Sequence, residues 1–419
     1  MELSFKLKEF IRNIALHTIV PKRALRKQIG ESSPEMIEDA VRHAVDCCPF
    51  YSSYRELIAD GVDLSALPII RKPDIINCSR SMVSRRVPSF LVFRKRTAGS
   101  TGIPLNVYYS PFSILKMNAL PDYMFSKFGK NLRIGVLRDH TTHDRFVQDG
   151  GCRHWLFSPY KLNADTLDDY IREMERLKID CLHVYPSALC IFARLIRQRY
   201  GVSPLKNLKG ILASSEIFSR DDKQLIMEVF PGVKIIDLYG HNEHVCCAYA
   251  EDLGNYKFFT GYGHVEFIDT GERVNSDHRV CEIVATSITN RIMPFIRYGT
   301  LDYAELDADG NVISIIGRSS DFIVNRHGSV VPCLFLNRRE STRHVINRQY
   351  YQSAPGKMCI RVVVTDDFNE DDHRMLLEDM HTSFGDSFDC EIKVVDHIER
   401  TARGKQKRLV RDFDIKDYQ

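Results

Sequence analysis

Polar and charged side chains gather in six short patches where the surrounding apolar pattern reads as the end of a strand or as a turn. The first is Arg96-Thr97-Ala98-Gly99-Ser100-Thr101-Gly102-Ile103-Pro104, between the apolar runs Phe90-Leu91-Val92-Phe93 and Leu105-Asn106-Val107-Tyr108-Tyr109. Its glycines let backbone approach a bound anion, and its N–H groups and small hydroxyls can cradle phosphate oxygens. The same composition also makes an ordinary hairpin turn. The other patches are Ala213-Ser214-Ser215-Glu216, Asp237-Leu238-Tyr239-Gly240-His241-Asn242-Glu243, Arg297-Tyr298-Gly299-Thr300-Leu301-Asp302, Gly317-Arg318-Ser319-Ser320-Asp321 and Arg400-Thr401-Ala402-Arg403-Gly404-Lys405.

These residue types supply what a nucleotide needs. Tyr239 offers a ring to stack on a base, and Glu243 is a hard oxygen ligand for Mg²⁺ bridging phosphates. Asp302 can accept hydrogen bonds from ribose hydroxyls, and Lys405 or Arg318 can neutralise charge that develops in a transfer. Each also has an ordinary alternative: a Glu after a strand is a solvated cap, a Tyr-Gly pair packs and turns, and a basic residue near the C-terminus faces water. His241, His244, Cys246, Cys247 and His264 form the one metal-like grouping, but their spacing matches no closed Cys/His site, and no zinc is assigned. Tyr108, Tyr109, Phe112 and Tyr123 are either an aryl or acyl pocket or plain core.

The elements that must position these patches are legible from periodicity. Residues 1–60 read as helical, and 67–73 as extended because two prolines bias their predecessors away from helix. A helix over 111–128 follows Ser110, and 132–137 is a strand. From 163 onwards strands (179–185, 210–213, 233–238) alternate with helices. Asp165 is expected to cap the first of these helices; the second covers 188–199, and the third, 220–230, is capped by Ser219. That alternation predicts a parallel sheet covered by helices, whose strand C-termini are where ligands bind. After 250, short strands at 266–269, 280–285, 295–298 and 312–316 predict an antiparallel sheet or small barrel. A final block holds strand 360–364, helix 370–384 and strand 391–395. The fold class is therefore α/β: a large N-terminal domain over 1–317 with helix-covered mixed and parallel sheets and a small antiparallel subdomain, and a separate α+β domain over 318–419.

A hydrophobic content of 44% in 419 residues provides ample core, and a net charge of +3 is too small for this size to indicate nucleic acid. Lys6, Lys8, Arg12, Lys22, Arg23, Arg26 and Lys27 make the N-terminus locally basic, which permits at most peripheral contact with an anionic membrane. No apolar run approaches a bilayer span and no secretory leader is visible. Twelve cysteines without C-x-x-C spacing indicate a reducing, cytoplasmic setting.

In this order the patches resemble the adenylate-forming superfamily of acyl-CoA synthetases, adenylation domains and luciferases, in its phenylacetate-CoA ligase and CapK-like branch. Residues 97–104 resemble T-S-G-T-T-G-x-P, Tyr239 to Glu243 resembles Y-G-x-x-E, and Arg297 to Asp302 resembles R-Y-x-T-G-D. Gly317 to Asp321 is similar to G-R-x-D-D and Arg400 to Lys405 to R-T-x-S-G-K; Pro49-Phe50-Tyr51, Leu67-Pro68 with Lys72, and Tyr185-Pro186-Ser187 are signs of the branch. Leu301 stands for the motif's glycine and Ser320 for its hinge aspartate. The resemblance implies ATP-dependent activation of a carboxylic acid as an acyl-adenylate, with Mg²⁺, then transfer to a thiol, usually of coenzyme A. It places Thr97, Ala98, Gly99, Ser100, Thr101 and Gly102 on the phosphates, with Thr97, Glu243 and Lys405 catalytic and Glu243 holding Mg²⁺. Ser215, Glu216, Asp237, Tyr239, Gly240, Asp302 and Arg318 fall to adenine and ribose. Ser320 and Asp321 fall to a hinge about which 318–419 turns as a lid. Two alternatives stand beside it: transfer to an amine or hydroxyl in surface-polysaccharide synthesis, and a scaffold that has lost turnover.

Overall fold

The computed structural model describes residues 32–88, 92–96, 105–138, 146–274, 276–318, 322–332, 344–401 and 405–418. The phosphate-loop residues 97–104, the hinge residues Ser320 and Asp321, and the basic N-terminus lie outside them. The chain divides into two compact units. The first comprises Met1–Lys127, Leu238–Ala250 and Gly254–Ile316, and the second Phe128–Asp237, Glu251–Leu253 and Gly317–Gln419.

In the first unit, helix α1 (Pro34–Cys47) buries the stripe Ala40, Val41, Ala44, Val45 and Cys47. A 3-10 helix, Pro49–Ile58, follows. Its Tyr51 is fully buried, donating to the Pro294 carbonyl at 3.0 Å and accepting from the Ile296 N–H at 3.1 Å. The stretch expected to be extended over 67–73 is so only to Arg71; Lys72–Ile75 is one helical turn. Pro73 is no obstacle there, since a first-turn N–H has no helical partner to lose. Strands β1 (Phe93–Arg96) and β2 (Asn106–Tyr109) pair antiparallel, with Arg96 opposite Asn106, so the sequence between them is the phosphate-loop segment. The Ser110 hydroxyl accepts from the Ser113 N–H at 2.9 Å and caps α2 (Pro111–Ser126) as the sequence predicts.

The antiparallel sheet expected after 250 is present. Strands Gly263–Arg273, Arg279–Ser287, Tyr298–Leu306 and Val312–Arg318 lie side by side in chain order. The strand expected at 295–298 begins only at Tyr298, because Arg297 adopts φ 46° and interrupts the extended run. Arg297 turns its guanidinium onto Glu266, with Nη2 2.8 Å from Oε1, and onto the Leu67 carbonyl at 2.6 Å.

The second unit holds the alternating pattern. Strands β3 (Ile134–Leu137), β6 (Cys181–Val184) and β7 (Gly210–Ser214) are parallel neighbours, carried by α3 (Leu167–Arg176), α4 (Pro186–Tyr200) and α5 (Arg220–Val229). Ser219 caps α5, accepting from the Asp222 N–H at 3.1 Å. Asp165 does not cap α3; Thr166 takes that position, because the Asn163 side chain accepts from the N–H groups of both 165 and 166 at 3.0 Å and draws Asp165 into the preceding turn. An antiparallel hairpin, β4 (Val147–Gly151) with β5 (His154–Phe157), adds to the sheet through β5 beside β3 and was not legible. Strand β8 (Lys234–Gly240) leaves this unit at Asp237.

The C-terminal block is a four-stranded sheet in the order Asp389–Val394, Lys357–Val364, Val345–Ala354, Leu409–Arg411, with helix α6 (Glu370–Phe384) as predicted. Asn369 and Asp372 close a capping box at its start. No helix among the described residues is long and apolar enough to cross a membrane.

Candidate active site

In the second unit the ends of the parallel strands β3, β6 and β7 converge on a cationic cluster. The Arg138 guanidinium, just past β3, donates to the hydroxyls of Ser214 at 2.6 Å and Ser215 at 3.0 Å and meets His183 of β6. It also lies over the Tyr185 ring, 4.8 Å from the centroid. Ser215 has φ 74°, a left-handed conformation uncommon for a non-glycine residue and concentrated at functional sites. Its carbonyl accepts from Lys405 Nζ at 2.8 Å, and the same Nζ stands 5.7 Å from the Tyr185 ring centre.

The neighbouring Glu216 carboxylate ties two segments together. Its Oε2 accepts the Ser187 N–H at 2.9 Å, in the first turn of α4, and its Oε1 accepts the Gln406 N–H at 3.0 Å. Arg400, Thr401 and Lys405 of the last patch lie at the same place. Thr401 N–H donates to the Lys405 carbonyl at 2.8 Å, and burial lowers the Arg400 guanidinium from its usual range while Glu216 opposes the shift. Lys405, Ser215 and Glu216, assigned to one nucleotide by sequence, are thus brought together across 190 positions.

In the first unit, Tyr239 donates to Asp302 Oδ2 at 2.8 Å, linking the third and fourth patches. Asp302 is buried, and its N–H donates to the Thr300 hydroxyl at 3.1 Å. Leu301, at the resemblance's glycine position, has φ 59°, so the backbone keeps the shape that glycine would favour. Glu243 is buried with no hydrogen bond to any described residue; the His241 Nδ1 lies 4.0 Å from its Oε2. That buried Nδ1 has no hydrogen-bond partner among the described residues. Behind it, Tyr109 donates to the Asn242 carbonyl and its ring lies 4.7 Å from that of His244. Burial, then the nearby His241 and Lys95, push the His244 pKa down to about 3, which leaves it neutral at pH 7.

Among the described residues no three His, Cys, Asp or Glu side chains are arranged to hold a metal ion. Mg²⁺ does not need such a set: one carboxylate with open lone pairs, completed by substrate phosphates and water, is its ordinary environment, and Glu243 fits that requirement. Asp237 Oδ2 lies 3.0 Å from Nζ of the buried Lys223. Arg318 ends the strand Val312–Arg318. Sequence reading did not find Arg138 or His183, and held Ser214 only as a member of its patch; their one signal is that each lies at or near the C-terminal end of a parallel strand.

Residues 323–412 match the CapK C-terminal domain. A phenylacetate-coenzyme A ligase of Aromatoleum evansii is 23% identical over 437 residues, covering 93% of this chain and 96% of its own length. Among solved structures, a 2-hydroxyisobutyryl-CoA ligase in the postadenylation state, bound to R3-HIB-AMP, is similar with a TM-score of 0.65 at 15% identity, covering 95% of this chain and 91% of that one. An anthranilate CoA ligase bound to anthranoyl-AMP gives 0.53 at 17% identity over 75% of this chain and 65% of that one. The fold is the mixed α/β fold of the adenylate-forming CoA ligases. These findings bear out the resemblance to the phenylacetate-CoA ligase and CapK-like branch.

Proposed function

We propose that this chain activates a carboxylic acid with ATP and passes the acyl group to coenzyme A. In the first half, the acid's carboxylate oxygen attacks the α-phosphorus and pyrophosphate leaves. In the second, the thiol attacks the acyl carbonyl and AMP leaves. The observation that most supports this reading is Lys405, whose ammonium is held on the Ser215 carbonyl beside Glu216 at the strand ends where such folds bind ligands. A fixed cation there offsets negative charge that builds on the phosphoryl group, with no reorganisation at the moment of reaction.

Other roles follow the resemblance. The 97–102 segment cradles the phosphates, Tyr239, Gly240 and Asp237 with Ser215 and Glu216 flank adenine, and Asp302 with Arg318 holds ribose. Mg²⁺, held by Glu243, neutralises phosphate charge when bound. On this reading 318–419 is the lid over a 1–317 adenylation domain, hinged at Ser320 and Asp321, and the protein works in the cytoplasm, where ATP and coenzyme A are found. The resemblance to the CapK-like branch keeps a second acceptor beside coenzyme A, an amine or hydroxyl in surface-polysaccharide synthesis. Product analysis with coenzyme A against an amino sugar separates the two.

Lys405→Ala is expected to lower acid-dependent ATP–pyrophosphate exchange by about 100-fold or more while ATP binding, measured calorimetrically, stays within a few-fold. Exchange at the wild-type rate would sink the assignment.

A further inference from the structure

Three residues beyond Lys405 lies an ion cluster that the proposed chemistry does not use. Arg408 donates to Asp222 Oδ2, and Arg194 Nη2 stands 4.0 Å from Oδ1 of the same carboxylate. Asp222 is in the first turn of α5 and Arg194 is on α4; they are 5% and 8% exposed. Arg348 joins them at a cavity of about 30 Å³, room for little more than a water. Burial by itself would raise the Asp222 pKa; Arg408, Arg194 and Arg348 reverse this and hold the carboxyl below its usual range, so it stays ionised.

Between the cluster and Lys405, the chain is pinned again at Gln406. Its N–H is held by Glu216, and its side-chain amide donates to the Arg348 carbonyl at 2.8 Å and to Asn347 Oδ1 at 3.0 Å. Immediately afterwards Leu409–Arg411 enters the sheet beside Val345–Ala354. Moving the Lys405 backbone away from the Ser215 segment therefore strains the Glu216 clamp and the Asp222 cluster. A buried ion pair contributes little net stability against apolar replacements, yet removing one partner is costly, which suits it to specifying position.

We infer that Asp222, Arg194 and Arg408 form an ion lock by which α4 and α5 position Lys405 for the first half-reaction. Asp222 and Arg408 are then positioning residues that touch no substrate. The inference rests on the adenylation reading above and adds the device that sets its lysine.

The test compares the two half-reactions in the full chain, using whichever of phenylacetate, 2-hydroxyisobutyrate or anthranilate best supports exchange in the wild type, and its synthetic adenylate. Arg408→Met should slow ATP–pyrophosphate exchange at least tenfold with the KM for ATP within twofold, while thioester formation from the supplied adenylate and coenzyme A changes less than twofold. Arg408→Lys should restore at least half of the lost exchange rate. Backbone hydrogen exchange over 405–411 should rise about tenfold in Arg408→Met. Equal loss in both half-reactions, or no loss in either, overturns the lock. Should Arg408→Met fail to fold, Asp222→Asn/Arg408→Met, which leaves no lone buried carboxylate, is judged by the same criteria. A wild type without exchange for any of the acids overturns the proposed activity and with it the role of the lock; the amide protection then reports separately whether the segment is held.

Discussion

In the second unit the buried or part-buried carboxylates Asp222, Asp237 and Glu216 are each met by a cation or by N–H groups of the protein, whereas in the first unit Glu243 is buried with no such partner among the described residues. Asp222 faces Arg194 and Arg408, Asp237 faces Lys223, and Glu216 takes two backbone N–H groups. Among the described residues Glu243 has only the His241 ring, at 4.0 Å, as an ionisable partner, and the His241 Nδ1 has no hydrogen-bond partner. A buried polar group without a partner costs free energy that a folded chain ordinarily avoids. The contrast assigns different work to these groups: Asp222, Asp237 and Glu216 are held by the protein itself, and Glu243 keeps polar capacity for something that binds.

The largest effect that tests this contrast comes from cutting a matched pair. Asp237→Asn removes the carboxylate that faces the buried Lys223 ammonium and should destabilise the fold by about 3–5 kcal/mol, read from urea unfolding. Glu243→Gln should leave that unfolding midpoint nearly unchanged while exchange falls about 10- to 100-fold and its Mg²⁺ requirement rises. Were the two outcomes interchanged, the contrast would be wrong.

A smaller effect is expected from pH. The folded His244 pKa is about 3 against an ordinary 6.5, so between these values the unfolded chain binds more protons than the folded one. Stability should accordingly fall as pH drops below 6.5, by up to about 1.4 kcal/mol per unit, and level off only near 3. Denaturant midpoints from pH 7 to 4.5 measure this, and His244→Asn should flatten the slope. Smallest of all, Leu301→Gly relieves a left-handed residue, worth about 1–2 kcal/mol, but adds unfolded-state entropy of about 0.5–1 kcal/mol. The net change should stay within about 1 kcal/mol, with the KM for ATP unmoved; a large loss of stability would show that the Leu301 side chain, and not its backbone shape, is what matters.

Much of the frame was readable because it depends on local rules. The α5 cap at Ser219, the helix 370–384 and the parallel strands follow from capping residues and periodicity, which act over a few positions. The hairpin Val147–Gly151 with His154–Phe157 was not readable: Gln148, Asp149, Gly150 and Gly151 carry no apolar alternation, and its place comes from pairing with β3. Strand Val345–Ala354 is equally mixed, with Asn347, Arg348 and Gln349 in its middle, and is recruited by neighbours on both sides.

The candidate site divides in the same way. By itself the sequence determined which residue types sit at strand ends and in what order, because motif spacing and turn chemistry are local. The resemblance added that Leu301 stands at the motif's glycine position. Only the tertiary structure decided that Lys405 meets the Ser215 carbonyl, that Asp237 is spent on Lys223, and that Arg138 and the Asp222 cluster stand beside them. Those pairings join residues from separate strands and helices, and the choice among possible partners is made by which buried charges end up side by side when the sheet and its covering helices pack.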